Sequence, residues 1–182
     1  LHVNEEDWPA VQKRFRVNDY LDLQVWFNLV WIAPCLRQKD ERLCGLLRQR
    51  LASRPNVVAA AADFLTFPLP SIPYRVVSNV PYAITAALVR KLLHAARPPD
   101  DAILIVQREA AEKFAGVRRE TLFSLLHKPW FEISVAGALP RRDFVPPPRV
   151  HSVLLRIRRR EVPLVAGGSG PDYRSFITTT FG

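Results

Sequence analysis

Apolar and polar positions along this chain alternate between two periods, and the switches between them mark its elements. The opening, Leu1 to Asp22, is charged and only weakly periodic. Val25 to Leu36 is an apolar run interrupted by Pro34, and it reads as a strand or a buried helix. From Lys39 to Ala52, Leu43, Leu46, Leu47 and Leu51 recur at helical spacing with arginines opposite, which predicts an amphipathic helix. Ser53-Arg54-Pro55-Asn56 ends that helix, and Val57 to Ala61 follows as a short strand. A second strand is predicted over Tyr74–Ser78. It leads into a helix over Ala83–Ala96, with Leu88, Leu92 and Leu93 along one face. Pro98-Pro99 breaks the chain, Ala102–Val106 reads as a central strand, and Gln107 to Phe114 as the next helix. Phe131–Leu139 and Val150–Ile157 are two further strands joined by a proline-rich segment, and Tyr173–Phe181 begins another helix. Strands alternating with helices, then a late strand pair, predict an open α/β sheet with a mixed edge.

Composition narrows what such a sheet does. At 182 residues the chain is long enough for one domain with a sizeable core, and 48% hydrophobic residues fit a globular protein. Lysine and arginine number 26 against 17 acidic residues, a net charge of +9 that points to a polyanionic partner such as nucleic acid. An arginine-rich genome would produce the same bias without a function. Cys35 and Cys44 lack the companions of a zinc site, so no metal is expected, and reduced thiols in a cytoplasmic protein are. The Val25–Leu36 run falls short of the roughly 20 residues a membrane span needs, and with no basic leader or small-residue cleavage site it is not expected to be a signal peptide.

The chemistry concentrates at Asn79-Val80-Pro81-Tyr82, between the second strand and its helix. Open α/β sheets bind ligands at the carboxyl ends of their strands. There the tetrad offers an amide, a turn stiffened by proline and an aromatic face. Such groups suit a planar base with an exocyclic amine: the amide accepts from the amine while the ring stacks. The tetrad resembles the catalytic motif of the ribosomal RNA adenine N6-methyltransferases. Phe144-Val145-Pro146-Pro147-Pro148-Arg149-Val150-His151-Ser152 is similar to a second motif of that family. Leu122 to Phe131 resembles the macrolide-resistance branch, which acts on 23S rRNA. The resemblance runs from about Gln38 to the C-terminus.

Several expectations follow from the resemblance. The fold is expected to be a Rossmann-like methyltransferase sheet over residues 1–165, poorly matched over 1–35. Residues 166–182 are expected to form a linker and the start of a truncated helical lobe. S-adenosylmethionine is the expected methyl donor and ribosomal RNA the substrate, with no membrane partner, for a monomeric enzyme. Asn79, Pro81, Tyr82 and Phe144 are the expected catalytic residues, Tyr82 and Phe144 flanking an adenine drawn out of its stack. Gln38, Asp63, Phe64 and Asn79 are expected to hold the cofactor. Asp63 would take the amine of its adenine, and Gln38 stands where the family carries a glutamate for the ribose hydroxyls. Taken alone, Asp63 reads first as a turn or N-cap aspartate, and Phe144 equally as a core residue.

Two further features qualify the resemblance. The family's glycine-rich turn between first strand and first helix would fall near Val17–Leu21, yet the first glycine in the chain is Gly45. The arginines 141, 142, 149, 156 and 158 are candidate RNA-phosphate contacts, or alternatively a solvated edge protected by charge. Macrolide-resistance methylation of 23S rRNA is the expected function. The 16S rRNA dimethylase branch and a catalytically impaired RNA-binding relic stand as alternatives.

Overall fold

The structure is a computed structural model that describes residues 30–32, 35–38, 44–45, 48–49, 52, 58–144, 147–166 and 169–181, with backbone alone at 30–32, 35–38 and 58–61. The expected glycine-turn position, Val17–Leu21, lies outside the described residues, as do Asp40, Val145 and Pro146.

Seven strands form one sheet in the order β3-β2-β1-β4-β5-β7-β6. They are β1 Val30–Ile32, β2 Cys35–Gln38, β3 Val58–Ala61, β4 Arg75–Asn79, β5 Asp101–Gln107, β6 Phe131–Leu139 and β7 Ser152–Arg159. The two strands β1 and β2 flank Pro34, where the apolar run was expected to break. Cys44, Gly45, Arg48 and Gln49 are helical, inside the helix expected over Lys39–Ala52. Four helices follow β4: α1 Thr85–Leu93, α2 Arg108–Ala115, α3 Leu122–His127 and α4 Gly170–Phe181.

The core sits between β4, β5 and β7 on one side and α1 and α2 on the other. Strand β5 alternates buried and half-buried residues, with Ala102, Leu104 and Val106 fully inside. Helix α1 meets that face with Leu88, Val89, Leu92 and Leu93, a stripe at helical spacing. Burying each leucine stabilises the fold by about 2 kcal/mol. Helix α2 stops at Gly116, whose φ of 63° is a left-handed cap; a Cβ there would lie 2.5 Å from the Glu120 carboxylate. Helix α3 was not predicted from periodicity. It opens on a reciprocal cap in which the Thr121 hydroxyl accepts from the Ser124 N–H and Ser124 Oγ accepts from the Thr121 N–H. Helix α4 packs on α3 and on Trp130 just before β6: Tyr173 donates to the Leu125 carbonyl at 2.8 Å, and Arg174 lies 4.8 Å above the Trp130 ring.

One expectation needs correction. The sheet is mixed at its centre and not only at its edge. Strand β1 lies between β2 and β4 and runs antiparallel to both. Ile32 pairs with Cys35, so β1 and β2 are antiparallel neighbours and not parallel ones joined by a crossover helix.

Candidate active site

Strands β2, β3 and β4 run in one direction relative to the sheet, so their carboxyl ends share an edge. Gln38 closes β2 opposite Ala61, the last residue of β3, and Asp63 follows two residues later. Asn79 closes β4 opposite Ile105 of β5. At about 4.8 Å per strand, the ends of β3 and β4 lie roughly 14 Å apart with β1 and β2 between them. Three side chains expected at the cofactor therefore stand on strand ends along one edge. The Gln38 side chain itself lies outside the described residues.

Pairing with β5 continues one residue past Asn79, where the Val80 N–H donates to the Ile105 carbonyl at 3.1 Å. Val80 is buried and anchors the turn from below. Pro81, at φ −56°, then starts a short 3-10 turn, Tyr82–Ile84, closed by the Ile84 N–H on the Pro81 carbonyl. Asn79 is half-buried, and among the described residues its side-chain amide makes no hydrogen bond. An amide held at a strand end and not engaged within the protein is available to a ligand.

Tyr82 is held from its far end. Its hydroxyl lies 2.8 Å from Ser152 Oγ, and Ser152 is the buried first residue of β7. This bond joins the last residue of one sequence motif to the last of the other across 70 positions of chain. Ser152 pairs with Gln107 of β5 and Leu139 of β6, so the β6–β7 connection leaves from the same edge as Asn79. That connection carries a 3-10 turn, Arg141–Asp143, and then Phe144. The Phe144 ring is buried, yet among the described residues it does not join the main core cluster.

Asp63 begins a tight turn. Its Oδ1 accepts from the Leu65 N–H at 2.9 Å, and its carbonyl accepts from the N–H groups of Thr66 and Phe67. The turn aspartate and the ligand aspartate of the sequence reading are thus compatible, since the turn orients the carboxylate. Phe64 is buried in the core cluster. Lys91 of α1 closes the turn from the other side, a residue that sequence reasoning missed. Its only sequence signal was the usual preference of cations for the last turn of a helix.

The structure divides the five arginines into two groups. Arg141, Arg142 and Arg149 are exposed on the β6–β7 connection, at the Asn79 edge. The Arg141 guanidinium is 3.3 Å from His151 Nε2, and Arg142 reaches Asp143 only at 4.0 Å. Arg156 and Arg158 lie further down β7, opposite Ile103 and Asp101, two and four residues below the level of Asn79. That is about 7 and 13 Å away along the strands. Both are ion-paired across the sheet. Arg156 forks onto both oxygens of Asp101 at 3.0 and 2.8 Å, and Arg158 pairs with Glu132. Arg159 donates to Asp100 beside them at 2.8 Å.

A profile of the ribosomal RNA adenine dimethylases matches residues 36–182. The chain belongs to that family. Among the relatives of this family member is an rRNA adenine N-6-methyltransferase of Corynebacterium diphtheriae. It is 34% identical over 78% of this chain and 55% of its own length. The mycinamicin-resistance protein MyrB of Micromonospora griseorubida is also 34% identical, over 78% of this chain and 45% of its own length. The crystal structure of the 23S rRNA methyltransferase ErmE superposes with a TM-score of 0.75 at 34% identity, covering 79% of this chain and 59% of that one. The family member thus spans about half the length of these relatives, and its sheet is the Rossmann-like methyltransferase sheet.

Among the described residues, Asp63 and Asn79 offer side-chain acceptors along this edge that suit a nucleoside. Strand β1 runs against β2 and β4, so its carboxyl end lies at the opposite edge. Among the described residues, no group of three or more His, Cys, Asp or Glu side chains could hold a metal, and no helix is long and apolar enough to cross a membrane.

Proposed function

We propose that the protein is an rRNA adenine N6-methyltransferase of the macrolide-resistance type, acting on an adenine of 23S rRNA. The observation that carries this is the shared edge: Asp63, Gln38 and Asn79 stand on parallel strand ends, and Tyr82 is pinned to Ser152 beside them. The names of MyrB and ErmE support the 23S branch over the 16S branch.

S-adenosylmethionine, when bound, supplies a methyl group on a positively charged sulfur. Asp63 receives the amine of its adenine, and Gln38 accepts from a ribose hydroxyl. Asn79 would accept from the target adenine's N6–H and so hold the amine in place. Tyr82 and Phe144 sandwich the extruded base and exclude water. The catalytic gain comes from holding two partners in line, with no covalent intermediate on the protein. Arg141, Arg142 and Arg149 contact RNA phosphates at the mouth of this edge. Arg156 and Arg158 serve the sheet.

A direct test is transfer of labelled methyl from S-adenosylmethionine to naked 23S and 16S rRNA. Labelled N6-methyladenine in 23S rRNA is the expected product. Label in 16S rRNA alone would move the protein to the other branch. The reversed β1 favours a second reading, an RNA-binding family member that holds the donor too weakly to turn over. RNA binding without any methyl transfer would favour it.

A further inference from the structure

Lys91 stands in the last turn of α1, where a lysine ordinarily extends into water or serves the carbonyls of its own helix. Here it does neither. Its Nζ donates to the carbonyls of Phe64 at 2.7 Å and Leu65 at 2.8 Å, and also to that of Phe67. An ammonium has three hydrogens, and all three are taken by one short segment more than 20 residues upstream. The Phe64 ring lies 5.3 Å from the same nitrogen.

That segment is the turn headed by Asp63. Its N–H groups at Leu65, Thr66 and Phe67 are satisfied by Asp63, and its carbonyls at Phe64, Leu65 and Phe67 by Lys91. Each side of the backbone therefore has one partner that closes it. Burial lowers the Lys91 pKa, and the Asp63 charge opposes that shift, so the carboxylate is near enough to be felt. Without the ammonium, three half-buried carbonyls would lose their partner, and the turn would relax toward water.

We infer that Lys91 is a positioning residue for the donor. By gripping three carbonyls of the 64–67 turn, it holds the Asp63 carboxylate where the adenine amine is to be received. This rests on the proposed function, because it takes Asp63 as the adenine acceptor. Lys91 touches neither donor nor base, so it acts on donor affinity and not on the transfer step.

The test compares wild type, Lys91→Met and Lys91→Cys, the last before and after 2-bromoethylamine, which rebuilds a lysine-length ammonium. Treated wild type controls for Cys35 and Cys44. Calorimetry with S-adenosylhomocysteine gives affinity, and amide exchange reports the turn. Lys91→Met is expected to bind at least about tenfold more weakly. Exchange at the 65–67 amides should quicken while that in β5 does not change. At saturating donor, kcat should stay within about twofold of wild type, since affinity and not transfer is lost. Aminoethylated Lys91→Cys should recover wild-type affinity. Unchanged affinity in Lys91→Met with a loosened turn would overturn the proposal, as would a fall in kcat as large as the fall in affinity. If Lys91→Met does not fold, the aminoethylated protein decides: folded with wild-type affinity it supports the proposal, folded without binding it ends it. Wild type that binds no S-adenosylhomocysteine would instead bring down the donor reading itself, and this proposal with it.

Discussion

Asn79 and Tyr82, both proposed to meet the target base, are held differently at the residue scale. Asn79 is positioned by its backbone alone, through β4 pairing that continues to Val80. Its amide is preorganised and uncommitted, so Asn79→Ala should abolish transfer without unfolding the protein. A preorganised acceptor of this kind is worth about 3 kcal/mol or more in the transition state. Single-turnover methylation checks this, and near-normal rates would remove Asn79 from the mechanism. Tyr82 is positioned through Ser152, and that bond is measurable without any activity. Tyr82→Phe and Ser152→Ala should each destabilise the fold, and the double variant should cost less than their sum. The coupling expected from urea unfolding is about 1 kcal/mol. His127 offers a pH test. It is buried, stacked on Phe123 at 4.2 Å, donates from Nδ1 to the Phe123 carbonyl and meets His94 Nε2 at 3.0 Å. Burial, opposed by that carbonyl bond and reinforced by His94 and Arg174, holds its pKa below the usual 6.5. The unfolded chain therefore takes up the proton first as pH falls. Stability is fully present above pH 6.5 and is lost as pH drops from there through the lower folded value. His127→Phe keeps a ring in place and should flatten that acid-side loss in unfolding midpoints.

At the scale of elements, the decisive arrangement is the edge formed by β2, β3 and β4. Strand β2 ends on Gln38, the residue proposed to accept from the donor's ribose. An uncharged amide accepts a hydroxyl hydrogen less strongly than a carboxylate. Gln38→Glu should therefore tighten S-adenosylmethionine binding, by about tenfold for a charge-assisted bond. Calorimetric titration measures this, and an unchanged Kd would place the ribose elsewhere. Strand β1 runs against its neighbours, so its carboxyl end lies at the opposite edge from Gln38 and Asn79. At the opposite end of the sheet, the pairs Arg156–Asp101, Arg158–Glu132 and Arg159–Asp100 line neighbouring strands. They balance charge at that end of the sheet, where β7 is already paired on both sides by β5 and β6.

For the molecule as a whole, the +9 charge is not spread evenly in what it can do. Arginines locked to carboxylates contribute little to a polyanion, while those on the β6–β7 connection remain open to phosphate. RNA affinity should fall steeply with salt, because each neutralised phosphate releases counterions. Replacing Arg141 and Arg142 with alanine should reduce the slope of log affinity against log salt by about 2 if each contacts one phosphate. Unrelated RNAs should weaken by a similar factor, since phosphate contacts carry no sequence. Arg156→Ala with Arg158→Ala should leave the slope alone and lower stability. A slope that responds to the second pair and not the first would put the RNA on the opposite end of the sheet.

The sequence by itself determined most of the described elements and the motif on which the family resemblance rests. Leu88, Leu92 and Leu93 repeat at helical spacing, and Ala102, Leu104 and Val106 at strand spacing. Local periodicity is set by neighbours in the chain, so it needs no tertiary information. The Asn-Val-Pro-Tyr tetrad was legible for the same reason: its groups lie within one turn of backbone. Helix α3 escaped because six residues, with a capping box supplying its start, are too few for a period to emerge. Only the tertiary structure decided the direction of β1, which depends on strand pairings and not on the composition of three residues. The same holds for Lys91, whose partners lie more than 20 positions away, and for the arginines. In the sequence, 141, 142, 149, 156 and 158 look alike. The antiparallel register of β7 carries the last two to the far end of the sheet and against acidic partners, where long-range pairing overrides composition.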